Sequence, residues 1–138
     1  GGMPGGACFG SNGGSISALA ITIFGPLGGY LERPIPVINT GSGLSISYSL
    51  SFKKRYIFSI PSQQGVSLTL LESSTGNREV IWQDATISTA NTWNIVTGSA
   101  IPLVPGRQYD KLLVGFTLNA LGLSLIRVWV DEIHITSP

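Results

Sequence analysis

From residue 44 to residue 52 the chain runs Leu, Ser, Ile, Ser, Tyr, Ser, Leu, Ser, Phe, with a large apolar side chain at every even position and serine at every odd one. A period of two sends alternate side chains to opposite faces of a β-strand and fits no helix. Weaker alternation marks residues 17–24, where Leu19, Ile21 and Ile23 share a face, and residues 66–70 around Ser67 and Thr69. Further strands are predicted at 79–83, 92–96, 111–118 and 123–135, with turns in 73–77 and 104–108. The last strand changes parity along its length: Ile126, Val128 and Val130 share one face, Ile133 and Ile135 the other. One extra residue near Asp131 and Glu132, a β-bulge, reconciles the two halves and places Arg127 and Trp129 on the face opposite Val128. No amphipathic helix separates these runs, so the pattern predicts an all-β domain built as an antiparallel sandwich or barrel.

Length and composition narrow this further. A chain of 138 residues suits one domain with an ordinary hydrophobic core. Seven of the first fourteen residues are glycine, and no GK[ST] follows them, so 1–14 reads as a flexible lead or irregular loop and 15–138 as the domain. Only 11% of residues are charged, eight Lys and Arg against seven Asp and Glu, which implies a neutral, hydroxyl-rich surface. That surface has no broad field for nucleic acid, and no apolar run approaches the roughly 20 residues that cross a bilayer as a helix. A single histidine and a single cysteine exclude multi-His and Cys-pair metal sites and CxxC redox chemistry. The opening residues lack the layout of a signal peptide and read as a processed product; low charge and little use of thiols point to a secreted protein.

Several short motifs occur in a telling order: Gly29-Tyr30-Leu31-Glu32-Arg33-Pro34, Leu44-Ser45-Ile46-Ser47-Tyr48, Val80-Ile81-Trp82, Trp93 with Ile101-Pro102-Leu103, and Val128-Trp129-Val130-Asp131-Glu132-Ile133-His134-Ile135. Together they resemble the extracellular jelly-roll modules of the MAM and reelin-repeat type over residues 8–135. The closing Asp-Glu-aliphatic strand is also similar to that of carbohydrate-binding jelly rolls. The resemblance implies a two-sheet antiparallel jelly-roll sandwich that binds or assembles and does not catalyse. It departs from MAM modules in lacking their disulfide cysteines, with Gly43 where one would stand, and in carrying Glu132 where a second Asp is usual. No cofactor is implied beyond a structural calcium, for which Asp131 is the candidate ligand; the plainer role for Asp131 is capping loop amides.

A hydrolase would need His134 as its base, since the chain has no other histidine, yet alternation places it on a solvated face opposite Ile133 and Ile135. Cys8 lies in the glycine-rich lead, where a preorganised nucleophile is hard to build. The scattered acids Glu72, Glu79, Asp84, Asp131 and Glu132 form no glycosidase pair. Aromatic side chains are the stronger lead for glycan binding, because Trp and Tyr rings stack on the C–H faces of sugars. Trp129 is the candidate platform, with Arg127, Trp82 and Gln83 as partners, against the plainer reading that Trp82, Trp93 and Tyr48 are core. The ladder Ser45, Ser47, Ser49 and Ser51 offers an uncharged hydrogen-bonding strip, hydroxyls about 7 Å apart, to another sheet or a hydroxylated solid. Lys53-Lys54-Arg55, directly after it, reads as a strand-end guard against edge pairing. The leading function is therefore an interaction or assembly module contacting another protein or its own copies through the sheet faces. Glycan binding is the alternative and hydrolysis a remote third.

Overall fold

A computed structural model describes the backbone of residues 6–9, 16–22, 25–58, 63–85, 93–120 and 124–136, and within these the side chains of 30, 32–53, 63–85, 93–115, 117 and 133–136. Nine strands follow in chain order: β1 Gly6–Phe9, β2 Ile16–Thr22, β3 Gly25–Asn39, β4 Leu44–Phe58, β5 Gln63–Glu72, β6 Asn77–Asp84, β7 Asn94–Leu103, β8 Gln108–Ala120 and β9 Ser124–Thr136. The first sheet runs β9-β4-β7, with β1 and β2 paired to successive halves of β9; the second runs β3-β8-β5-β6, and every pairing is antiparallel. Apart from the β1–β2 step and the β5–β6 hairpin, each successive strand changes sheet, which is the winding of a jelly roll. The two-sheet antiparallel jelly roll expected from the alternating pattern is the observed fold.

The alternation of β4 resolves as its period requires. Ile46, Leu50 and Phe52 are buried, whereas Ser45, Ser47, Ser49 and Ser51 sit half-buried on the other face. Facing them across the sandwich are Val66, Leu68 and Leu70 of β5 and Leu112 and Val114 of β8, joined by Ile133 and Ile135 of β9 in one core. The bulge expected in β9 is present: Ser49 pairs with His134 but Ser51 with Asp131, so Glu132 and Ile133 together oppose Leu50. It restores Ile133 and Ile135 to the interior.

Three elements differ from the pattern-based expectation. β1 lies inside the glycine-rich segment read as a lead or loop, because Ile133–Thr136 supply a ready-made ladder that outweighs the poor strand propensity of glycine. β3 carries Pro26, Pro34 and Pro36 and shows no clean alternation; as an edge strand it tolerates residues without an N–H, and its register slips between Pro34 and Ile38. β4 continues through Lys53-Lys54-Arg55 to Phe58 and is flanked by β9 and β7. The basic run thus lies inside the strand and not at its end; β9 pairs with it on one flank, while the described pairing with β7 stops at Phe52, which fits a guard against edge pairing on that flank.

One end of the sandwich is clasped by side chains. Thr40 Oγ1 accepts from the Arg107 amide at 2.8 Å, and Gly106, held at φ 78°, donates its amide to the Gly41 carbonyl at 2.8 Å. Glu72 accepts from the Thr75 hydroxyl, from Asn77 Nδ2 at 3.1 Å and from the Gln108 amide at 2.5 Å, fastening the β5–β6 hairpin to the start of β8. Asp110 accepts from both the amide and the hydroxyl of Ser73. The Thr75 hydroxyl, chiefly, holds the Glu72 carboxyl below its ordinary 4.5, and the Ser73 hydroxyl does the same for Asp110 below 3.8. Carboxyls lowered on folding stabilise the fold above their unfolded values and lose that contribution as pH falls through their folded values. Thermal midpoints measured from pH 7 to pH 2 should therefore hold level and then drop below about pH 4.5, with a smaller drop in Glu72→Gln. An equal acid slope in wild type and variant would remove Glu72 from this role.

Candidate functional site

The two outer faces differ in charge. On the second sheet, Lys111 Nζ lies 2.5 Å from Glu32 Oε1, and the Arg78 guanidinium sits 5.2 Å from the centroid of the exposed Tyr30 ring. On the first sheet the described outward side chains are the β4 serines, Ile95, Thr97 and Ser99 on β7, and His134 and Thr136 on β9. Lys53 is the described cation there, and its Nζ stands 5.2 Å from the Trp93 ring.

Cross-strand register builds the centre of this face. Ser49 is opposite Thr97 on one side and His134 on the other, and Ser47 is opposite Thr136. Next to them β7 is irregular: Ile46 pairs with Ile101 but Tyr48 with Gly98, so Ser99 and Ala100 together oppose Ser47. Ala100 takes up the bulge at φ 53°, a left-handed conformation that costs an L-residue roughly 1–2 kcal/mol. Its amide donates to Ser47 Oγ at 3.4 Å. A Cβ on Gly98 would stand 2.3 Å from Tyr48 Cε1, so the tyrosine ring occupies the space a side chain would fill. The result is a shallow trough of about 390 Å³ lined by Ser47, Tyr48, Ser49, Thr97, Gly98, Ser99, His134 and Thr136. Tyr48 also packs against the core, as its parity predicts, and burial pushes its hydroxyl above the ordinary 10.

The residues proposed from sequence divide between the sheets. Trp82 and Gln83 lie on β6, at the edge of the second sheet; Arg127 and Trp129 lie on β9 of the first, their side chains outside the described residues. Trp82 is half-buried against the core, 5.1 Å from the Phe52 ring, while Gln83 is exposed beside it. Trp93, expected in the core on the plainer reading, is instead 45% exposed, because it precedes the edge strand β7 and lies against Lys53. The backbone of Trp129 is opposite Lys53 in register, so two tryptophans flank one lysine along that row. Asp131 sits at the β9 bulge opposite Ser51, and its side chain is outside the described residues. Of the described carboxylates, Glu72, Glu79, Asp110 and Glu32 are engaged by protein donors. Among the described residues no three His, Cys, Asp or Glu side chains converge.

Register also brings Cys8 of β1 opposite His134, a neighbour relation that sequence could not suggest while β1 passed for a loop. On the second sheet a smaller depression of about 270 Å³ is lined in part by Gln64, Gln83, Asp84 and Thr117. There the buried Gln64 donates to the Asp84 carbonyl at 3.1 Å, and its Oε1 has no partner among the described residues.

No family model matches the chain, and no curated protein matches it. Among solved structures it is similar to a chain of infectious bursal disease virus, Gx strain, at 11% identity and TM-score 0.46, over 96% of this chain and 34% of that one. It is also similar to the CBM22-1–GH10 modules of Clostridium thermocellum endo-1,4-β-D-xylanase 10B, complexed with xylohexaose, at 17% identity and TM-score 0.44, over 97% of this chain and 26% of that one. The chain thus spans about a third of the first and a quarter of the second. The jelly roll that the MAM and reelin resemblance implies is present; those families themselves are not among the matches.

Proposed function

We propose that this chain is a non-catalytic, extracellular interaction module, and that it engages its partner through the outer face of the first sheet. The observation that carries this reading is an uncharged patch on that face: among the described residues four serines, two threonines, Ser99 and His134 lie side by side, with no described carboxylate among them. Small hydroxylated side chains on a sheet allow close approach of a partner and cost little to desolvate compared with charges. The second sheet, by contrast, carries the Lys111–Glu32 ion pair and Arg78 over the Tyr30 ring. Ser49 and His134 are cross-strand neighbours, which is the nearest the described residues come to a hydrolytic pair. Acyl transfer also needs preorganised amide donors for an oxyanion, and amides inside a paired sheet are committed to the ladder. Self-association is a second reading, favoured by Ile95, which is 79% exposed on the edge strand β7.

The test measures self-association by sedimentation velocity, together with depletion of the chain from solution by cellulose, chitin and hydroxyapatite. At least one association is expected, weakened ~10-fold or more by Ser45→Glu with Ser51→Glu and untouched by Val80→Glu on the other sheet. Associations that ignore the first-sheet charges, or that respond to Val80→Glu, would overturn the assignment of the face.

A further inference from the structure

We infer that the trough between β4, β7 and β9 is a binding site for one unit of a neutral saccharide. This rests on the outer face of the first sheet being the binding surface, and names what that surface takes at its centre. The argument is one of chemical matching. Five of the eight lining residues carry a hydroxyl on a short side chain, Ser47, Ser49, Thr97, Ser99 and Thr136, and each such group both donates and accepts. His134 adds an imidazole, and among the described residues neither ammonium, guanidinium nor carboxylate lines the trough. A phosphate or carboxylate ligand finds no full counter-charge among these described side chains, and a cation finds no anion. A polyol finds a partner for each of its groups.

The floor supplies the other half of the match. The Tyr48 ring, seated over Gly98, lies on the inner face with the core, so between the hydroxyls Tyr48 and Gly98 give the outer trough a floor of backbone. A floor without projecting side chains lets a sugar ring lie close while its hydroxyls reach the side chains around it. The volume, about 390 Å³, lies at the small end of the roughly 300–1,000 Å³ common for ligand pockets. An extended peptide is the competing neutral ligand, but it gains its affinity from free backbone N–H and C=O groups at a sheet edge. This trough lies over strands already paired with each other.

Calorimetric titration of the intact chain with hexasaccharides of β-1,4-linked glucose, xylose and mannose tests the inference, with hexagalacturonate as the charged comparison. Binding of at least one neutral hexasaccharide is expected, stronger than that of hexagalacturonate. Thr97→Ala with Ser49→Ala should weaken it ~10-fold or more, since each lost hydroxyl leaves a sugar group unpaired in the complex. Gln83→Ala, on the second sheet, should leave it unchanged. No heat with any neutral probe, preference for the uronate, or affinity that survives the trough variants overturns the inference. If affinity survives those variants but falls with Ser45→Glu and Ser51→Glu, the face stands as the binding surface and the trough does not.

Discussion

Leu112→Ala is expected to destabilise the fold by about 3 kcal/mol, whereas Ile95→Ala should change stability by less than about 0.5 kcal/mol. Leu112 is 0% exposed on β8 and directly opposite Leu70 of β5, itself 0% exposed. Both strands are interior to the second sheet, so each is held by hydrogen bonds on two flanks. Strands held this way cannot close over a deleted isopropyl group, and the transfer and cavity costs add. Ile95 is 79% exposed on the outer face of an edge strand, and its truncation uncovers nothing. Urea titrations followed by tryptophan fluorescence would read the difference as a lower midpoint at constant slope for Leu112→Ala alone. Equal effects at the two positions would mean that the sandwich is packed on the wrong faces.

That contrast rests on the part of the fold most legible in the sequence. The period of two in β4 fixes which side chains face inward, because a slip by one residue would expose Ile46, Leu50 and Phe52 together. The parity change in β9 was equally readable, since only an inserted residue can set Ile126, Val128 and Val130 on the same face as Ile133 and Ile135. Strands whose order comes from a partner were not legible. β1 owes its conformation to Ile133–Thr136 and has no pattern of its own. β3, with its three prolines, is a strand by virtue of its place at an edge.

The candidate site was legible in part for the same reason. Ser47 and Ser49 stood out as outward hydroxyls, but the residues that turn their strip into a trough come from other strands and meet it only through register. Gly98 and Ala100 sit in a stretch, Thr97-Gly98-Ser99-Ala100, whose composition suggests a loop. In the structure it is a bulged strand that makes room for Tyr48. Tryptophans drew attention because they are large. Trp82 proves to be spent on the core against Phe52, and exposed Trp93 lies on the sheet where the serines are.

Tyr109→Phe should cost about 2 kcal/mol although it leaves the ring in place, because the cost comes from unpaired polar groups and not from packing. Tyr109 is 0% exposed; its hydroxyl donates to Glu79 Oε1 at 2.5 Å and accepts from Arg107 Nη1 at 3.0 Å. Glu79 in turn accepts from the Val104 amide at 3.1 Å, and Arg107 is tied through its backbone to Thr40. One phenol oxygen therefore joins β6, the β7–β8 turn and the end of β3. Burial, and next the Glu79 carboxylate, push its ionisation above the ordinary 10, so the hydroxyl is neutral at pH 7. Phenylalanine at this position strips Glu79 of one donor and the guanidinium of its acceptor, with no room gained for replacement water. Glu79→Gln keeps an acceptor at the same place and should cost less than Tyr109→Phe. In the double variant the two costs should fall short of adding, by about 1 kcal/mol, as expected for partners in one network. Strict additivity in that cycle would mean that hydroxyl and carboxylate act independently, and the clasp would then reduce to separate loop contacts.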